Sequence, residues 1–257
     1  MGVSVLQLLI LCPLVFLSGF VDSIAGGGGL ISLPAYMIIG LPPHIARGTN
    51  KLSAFMGTAT ATTRYAIKGM IPWKESIVCI LMALLGSFIG TKLGLLVDED
   101  VFKIIMLVII PITAIYVWFK KLEVKEKEPY DFLKTMFISA IIAFVIGIYD
   151  GFYGPGTGTF LILLLTALAH LSMNSAQGMS KAINLATNLA SLVVFLTSGK
   201  VLILLGLFAG VFSMIGNYVG TKMYFKNTTK IVKPIMIFVL IIFFVKVLLE
   251  VLGISPF

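Results

Sequence analysis

Two aspartates, two lysines and two glycine runs stand out chemically from their neighbours in this chain. Asp22 precedes Gly26, Gly27, Gly28 and Gly29 in DSIAGGGGLIS, and Asp150 precedes Gly154, Gly156 and Thr157 in DGFYGPGTG. Lys51 stands in GTNKLS and Lys181 in GMSKAIN, with Thr49, Asn50, Ser53, Ser180, Asn184 and Asn188 close by. A lysine offers a compact positive charge and three N–H donors. Hydroxyls and amides add neutral donors. A helix that restarts after a glycine run exposes free backbone N–H groups at its positive end. That inventory suits a small oxyanion with several acceptor oxygens, such as sulfite, sulfate or a sulfonate. The aspartates admit two roles, caps on the loose amides of an interrupted helix or carriers of a coupled proton. The lysines also admit two: anion ligands, or side chains that snorkel to a membrane surface.

The surroundings say what must position these groups. Of 257 residues, 59% are hydrophobic and 12% charged, and mean hydropathy is +1.08. Soluble domains carry about 25% charged residues. The excess calls for lipid as a second solvent, which makes this an all-α multi-pass protein of the cell membrane. The net charge of +8 is not arranged as a basic stripe interleaved with aromatics, so nucleic acid is not expected as a partner. Cys12 and Cys79 lie in apolar segments, and His44 and His170 fall in loop-like stretches without ligand spacing. No metal, no cofactor and no enzymatic activity is expected. Residues 1–25 end in Ser23-Ile24-Ala25 like a signal peptide but lack its cationic start, and they read as part of the fold.

The chain is written twice. GFVDSIAGGGG, starting at Gly19, matches GIYDGFYGPGT, starting at Gly147, which pairs Asp22 with Asp150, 128 residues apart. Further on the spacing becomes 130: ARGTNK from Ala46 meets AQGMSK from Ala176, GSFIGTK from Gly86 meets GNYVGTK from Gly216, and VFKIIM from Val101 meets IVKPIM from Ile231. Each copy contains five apolar segments, at 3–21, 28–40, 49–67, 73–96 and 101–119, and at 132–149, 158–171, 179–197, 200–223 and 230–252. The second of each set is short and follows the glycines, as a half-helix or re-entrant segment would. Residues 1–119 form the first repeat, 120–131 a charged cytoplasmic linker and 132–257 the second repeat.

Each copy crosses the bilayer an odd number of times, five if all segments span and three if the first two form a hairpin. The second copy therefore enters upside down, as in secondary transporters built from inverted repeats. More of the cations fall on the side of Arg64, the linker and Lys222, which becomes the cytoplasmic face and leaves both termini outside. The four-residue glycine spacings at Gly86, Gly90 and Gly94, and at Gly216 and Gly220, read as tight helix packing.

The first glycine stretch, GFVDSIAGGGGLISLPAY, with GLPPHIARGTNK after it, resembles the sulfite exporter TauE/SafE family, also called the toluene sulfonate uptake permease group. The degenerate GPGTG and the closing GNYVGTK extend the resemblance over nearly the whole chain. It implies a secondary transporter of sulfite, sulfoacetate or other organosulfonates, working by alternating access around a midplane anion site. Gly26 to Gly29, Gly48 to Lys51, Gly154, Gly156 and Gly178 to Lys181 carry over as functional positions. The second copy has Met179-Ser180 where the first has Thr49-Asn50, so the half-sites differ chemically. Export, uptake coupled to protons through Asp22 or Asp150, and an anion channel all stay open, as does a homodimer.

Overall fold

The computed structural model describes residues 4–102 and 128–226, and beyond them positions 104, 105, 108, 245, 248 and 249. Its elements are α1 (Val5–Ala25), α2 (Gly29–Ile38), α3 (Pro43–Ile67), α4 (Trp73–Leu95), α5 (Phe132–Phe152), α6 (Thr157–Ala167), α7 (Met173–Thr197) and α8 (Ile203–Tyr224). No strand occurs among the described residues. Helices α1, α4, α5, α7 and α8 are long and apolar enough to cross a membrane. The expected segments 101–119 and 230–252, the linker 120–131 and the pairing of VFKIIM with IVKPIM lie largely outside the described residues.

Local chemistry sets the helix ends. Ser4 opens α1 with a reciprocal capping box to Gln7, and Asp131 and Ser172 cap α5 and α7. Gly26 ends α1 in the left-handed conformation, φ +75°, which costs a residue without Cβ little. Gly154 and Gly156 hold φ of +97° and +87° in the second break. With 10 and 11 residues, α2 and α6 reach about 15 Å each, half of a bilayer's hydrocarbon.

Several bounds differ from the expected ones. Both first helices run on past their aspartates, to Ala25 and Phe152, so Asp22 and Asp150 lie inside the last turn and the breaks open later. Both third helices begin six residues earlier than expected, α3 at Pro43 and α7 at Met173. Pro43 takes the first helical position, where a missing N–H costs nothing. Hydropathy misplaced these starts because they hold polar residues, of which His44, Arg47 and Gln177 are buried inside the protein. His44 consequently sits in a helix, while His170 stays in a loop at φ 55°.

The duplication recurs in the contacts. A Cβ added at Gly86 or Gly90 would meet backbone of α5 at Phe144 and Ile148. One added at Gly216 or Gly220 would meet α1 at Phe16 and Phe20, the corresponding positions of the other copy. Each copy's fourth helix thus packs on the first helix of the other copy, and the glycine spacings do serve packing. Outward faces carry Leu81, Leu85, Phe137, Ile141, Phe208 and Val211, all exposed, as lipid contact requires. Gly90→Ala drives a methyl into the Ile148 carbonyl and should cost about 1–3 kcal/mol. A lowered midpoint in a detergent thermal melt checks this, with Leu85→Ala on the outer face leaving the midpoint near wild type.

Candidate functional site

The two breaks meet in the middle of the molecule. The Thr159 amide donates to the Gly26 carbonyl at 3.1 Å, and its hydroxyl to the Ala25 carbonyl at 2.7 Å. The Gly158 Cα would lie 2.6 Å from a Cβ at Gly26, so the backbones touch through bare glycines. Each aspartate ties down its own break. Asp22 Oδ1 accepts the Gly28 amide at 3.3 Å, and Asp150 Oδ1 accepts the Thr157 hydroxyl at 2.7 Å.

Each broken helix is also clamped by the third helix of the other repeat. On α3, Lys51 donates to Asp150 Oδ2 at 2.5 Å and to Asn188 Oδ1 at 3.0 Å. One turn earlier, Arg47 donates to the carbonyls of Gly151 at 2.9 Å and Phe152 at 2.6 Å. On α7, Lys181 donates to the Asp22 carbonyl and stands 3.9 Å from its carboxylate, and Gln177 donates to the Ile24 carbonyl at 2.8 Å. Ile24 and Phe152 correspond at the same spacing as the aspartates, so the clamps are two versions of one device. Through Arg47 and Gln177 they satisfy carbonyls that a helix end leaves without partners, while the Asp22 carbonyl under Lys181 also accepts the Gly26 amide. Lys51 and Lys181 are both buried, at 6% and 0% exposure, and neither snorkels to a surface.

Between the breaks lies a cavity of about 50 Å³. A water needs about 10–15 Å³ by this measure, so the cavity has room for about four water-sized groups. Gly26, Gly28 and Gly29 line it from the first break, and Gly154, Gly156 and Thr157 from the second. Lys51, Asn50, Asn184, Asn188, Asp22 and Asp150 complete the expected residues that reach it. Gly27, Thr49, Ser53, Ser180 and Lys181 do not line it. Thr49 accepts the Leu202 amide at 3.0 Å and caps α8, while Ser53 links the Tyr36 hydroxyl to the Asn50 carbonyl. Ser180 bonds the Gln177 carbonyl. A contiguous polar stretch wound into a helix points several ways, and only one face meets the cavity.

That face of α3 runs Arg47, Asn50, Lys51, Ala54 and Thr58, at helical spacing. Arg47 was not among the site residues expected from the sequence, because the helix was expected to start after it. Ser213 and Asn217, four apart on α8, also line the cavity and went unnoticed as polar residues in an apolar run. Gly48 and Gly178 stand outside the site and make room for the carbonyls of Lys200 and Met70.

Residues 11–247 match the family model described as Sulfite exporter TauE/SafE. The chain belongs to the sulfite exporter TauE/SafE family. It is 34% identical over 235 residues to probable membrane transporter protein ORF9 of Sinorhizobium sp., covering 91% of this chain and 90% of that one. A probable membrane transporter protein of Haemophilus influenzae is 31% identical, with 92% of each chain covered. YfcA of Escherichia coli, also a probable membrane transporter protein, is 30% identical over 96% of this chain and 92% of its own. No solved structure matches. As a TauE/SafE protein the chain is a multi-pass membrane transporter.

The Lys51–Asp150 pair of this TauE/SafE site is buried on both sides, 8% and 3% exposed at the side chains. Removing one partner of such a pair strands a charge and costs about 3–5 kcal/mol, whereas removing both restores balance. Asp150→Asn should therefore lower the thermal midpoint clearly, and Lys51→Met with Asp150→Asn should melt above the single variant. A double variant melting below the single one would refute the pairing.

Proposed function

We propose that this protein is a secondary transporter of small sulfur oxyanions in the plasma membrane. The observation that carries the reading is the cavity between two interrupted helices, lined by the Lys51 ammonium and by the N-terminal ends of α2 and α6. Asp150 and Asn188 take two of the three N–H groups of Lys51, leaving the third for a solute. The two helix ends add positive partial charge without any side chain to desolvate. Sulfite, with about four non-hydrogen atoms, fits the volume, and longer sulfonates such as sulfoacetate require the cavity to widen. The family's description as sulfite exporter supports the same chemistry.

The repeats are inverted in this reading, and the two halves rock around the central anion to expose it on one face at a time. Moving one negative charge out of an inside-negative cell gains about 2.3 kcal/mol per 100 mV, so a monoanion leaves without a coupling ion. Export is the direction this favours. A channel would share the breaks but conduct without saturating.

Purified protein in proteoliposomes should carry radiolabelled sulfite with saturable kinetics, and sulfoacetate more slowly. Lys51→Ala should abolish that flux while the protein still elutes as a folded species. Wild-type sulfite flux in Lys51→Ala, or flux that never saturates, would sink this assignment.

A further inference from the structure

Five formal charges are buried among the described residues: Arg47, Lys51 and Lys181 against Asp22 and Asp150. Each lysine faces an aspartate of the other repeat. Arg47 makes no ion pair among the described residues. Its guanidinium bonds the Gly94, Gly151 and Phe152 carbonyls and packs over the Phe102 and Phe195 rings, 4.5 and 5.2 Å from their centroids. Gln177 makes the corresponding clamp on Ile24 with no charge at all. A neutral amide therefore suffices for the structural task, and the charge of Arg47 exceeds what the clamp requires. At each break the negative end of one helix precedes the positive end of the next, so the backbone adds no net formal charge to this buried set. A cation that is only 3% exposed and has no counter-charge paired with it among the described residues is costly to keep. Arg47 lines the cavity, and its unbalanced charge acts on the occupant.

We propose that Arg47 sets the valence of the solute, so that the site takes one monovalent oxyanion and moves it with its charge and without a proton. This rests on the anion-site reading above and adds the charge class and the electrical character of transport. With a monoanion bound, the buried set is neutral, and Asp22 and Asp150 stay as fixed partners of their lysines. A dianion such as sulfoacetate overshoots that balance and is taken less well, and a neutral solute leaves it unmet. On the cavity-lining residues Asp22, Asn50 and Asn217, one buried acceptor oxygen each lacks a donor. A monoanion that keeps one O–H can satisfy such an acceptor, and a fully ionised dianion cannot.

The test uses full-length protein with methanesulfonate, a permanent monoanion, and dimethyl sulfone, its uncharged isostere. Calorimetry should show wild type preferring methanesulfonate. Arg47→Gln should weaken methanesulfonate binding about tenfold or more and leave dimethyl sulfone binding unmoved, while Arg47→Lys restores the preference. In proteoliposomes on a solid-supported membrane, a methanesulfonate gradient should evoke a current in wild type that a proton ionophore leaves unchanged. That current decides the matter even if Arg47→Gln does not fold. Equal weakening for both solutes overturns the proposal, as does electroneutral uptake of one proton per anion. A wild type that shows no preference for methanesulfonate over dimethyl sulfone, with sulfite flux intact, defeats only this inference. A wild type that binds neither methanesulfonate nor sulfite defeats the anion site with it.

Discussion

Everything in this molecule follows from the demand that a peptide group released from a helix inside lipid must find another partner. The chain releases such groups twice, at Gly26–Gly28 and again between Tyr153 and Gly156, and then supplies partners from elsewhere in the fold. Carbonyls at the ends of α1 and α5 go to side chains on α7 and α3. The amides that open the following helices are largely taken too, Gly28 by Asp22, Leu30 and Ile31 by the Gly27 and Gly28 carbonyls, Thr157 by the Gly154 carbonyl and Thr159 by the Gly26 carbonyl. The two breaks that raise this demand are also the ones that line the cavity. The same constraint that threatens the fold thus creates the site.

Duplication explains why the solution is reciprocal. Neither repeat closes its own break. Each lends a third helix to the other, with a lysine and a second polar side chain one turn apart. Divergence then acts on a shared frame. Lys51 opens onto the cavity and pairs closely with a carboxylate, while Lys181 turns to a backbone carbonyl and is wholly enclosed. Arg47 and Gln177 differ in charge at one geometric position.

Much of this was legible in the amino-acid sequence, for identifiable reasons. The membrane class and the repeat could be read because composition and spacing survive without coordinates. The breaks were legible because consecutive glycines with a proline end a helix anywhere. The polar neighbourhood of Lys51 and Lys181 was visible, but its division was not. Thr49, Ser53 and Ser180 sit beside true cavity residues in sequence and on other faces in space. Arg47 was hidden by its helix starting at Pro43, a start that hydropathy cannot register when the first turns are polar yet buried. The crosswise pairing of lysine with aspartate depends on how helices more than ninety residues apart meet, which no local pattern encodes.

The back-to-back contact of Gly26 with Gly158 has a mechanical consequence. Two main chains pressed together without intervening side chains form a common fulcrum, held by the Thr159 bonds to Ala25 and Gly26. They can pivot on one another, but neither can withdraw alone without stranding polar atoms in a dry interior. Displacement on one side is therefore transmitted to the other, and a passage open to both compartments at once would require prising the fulcrum apart.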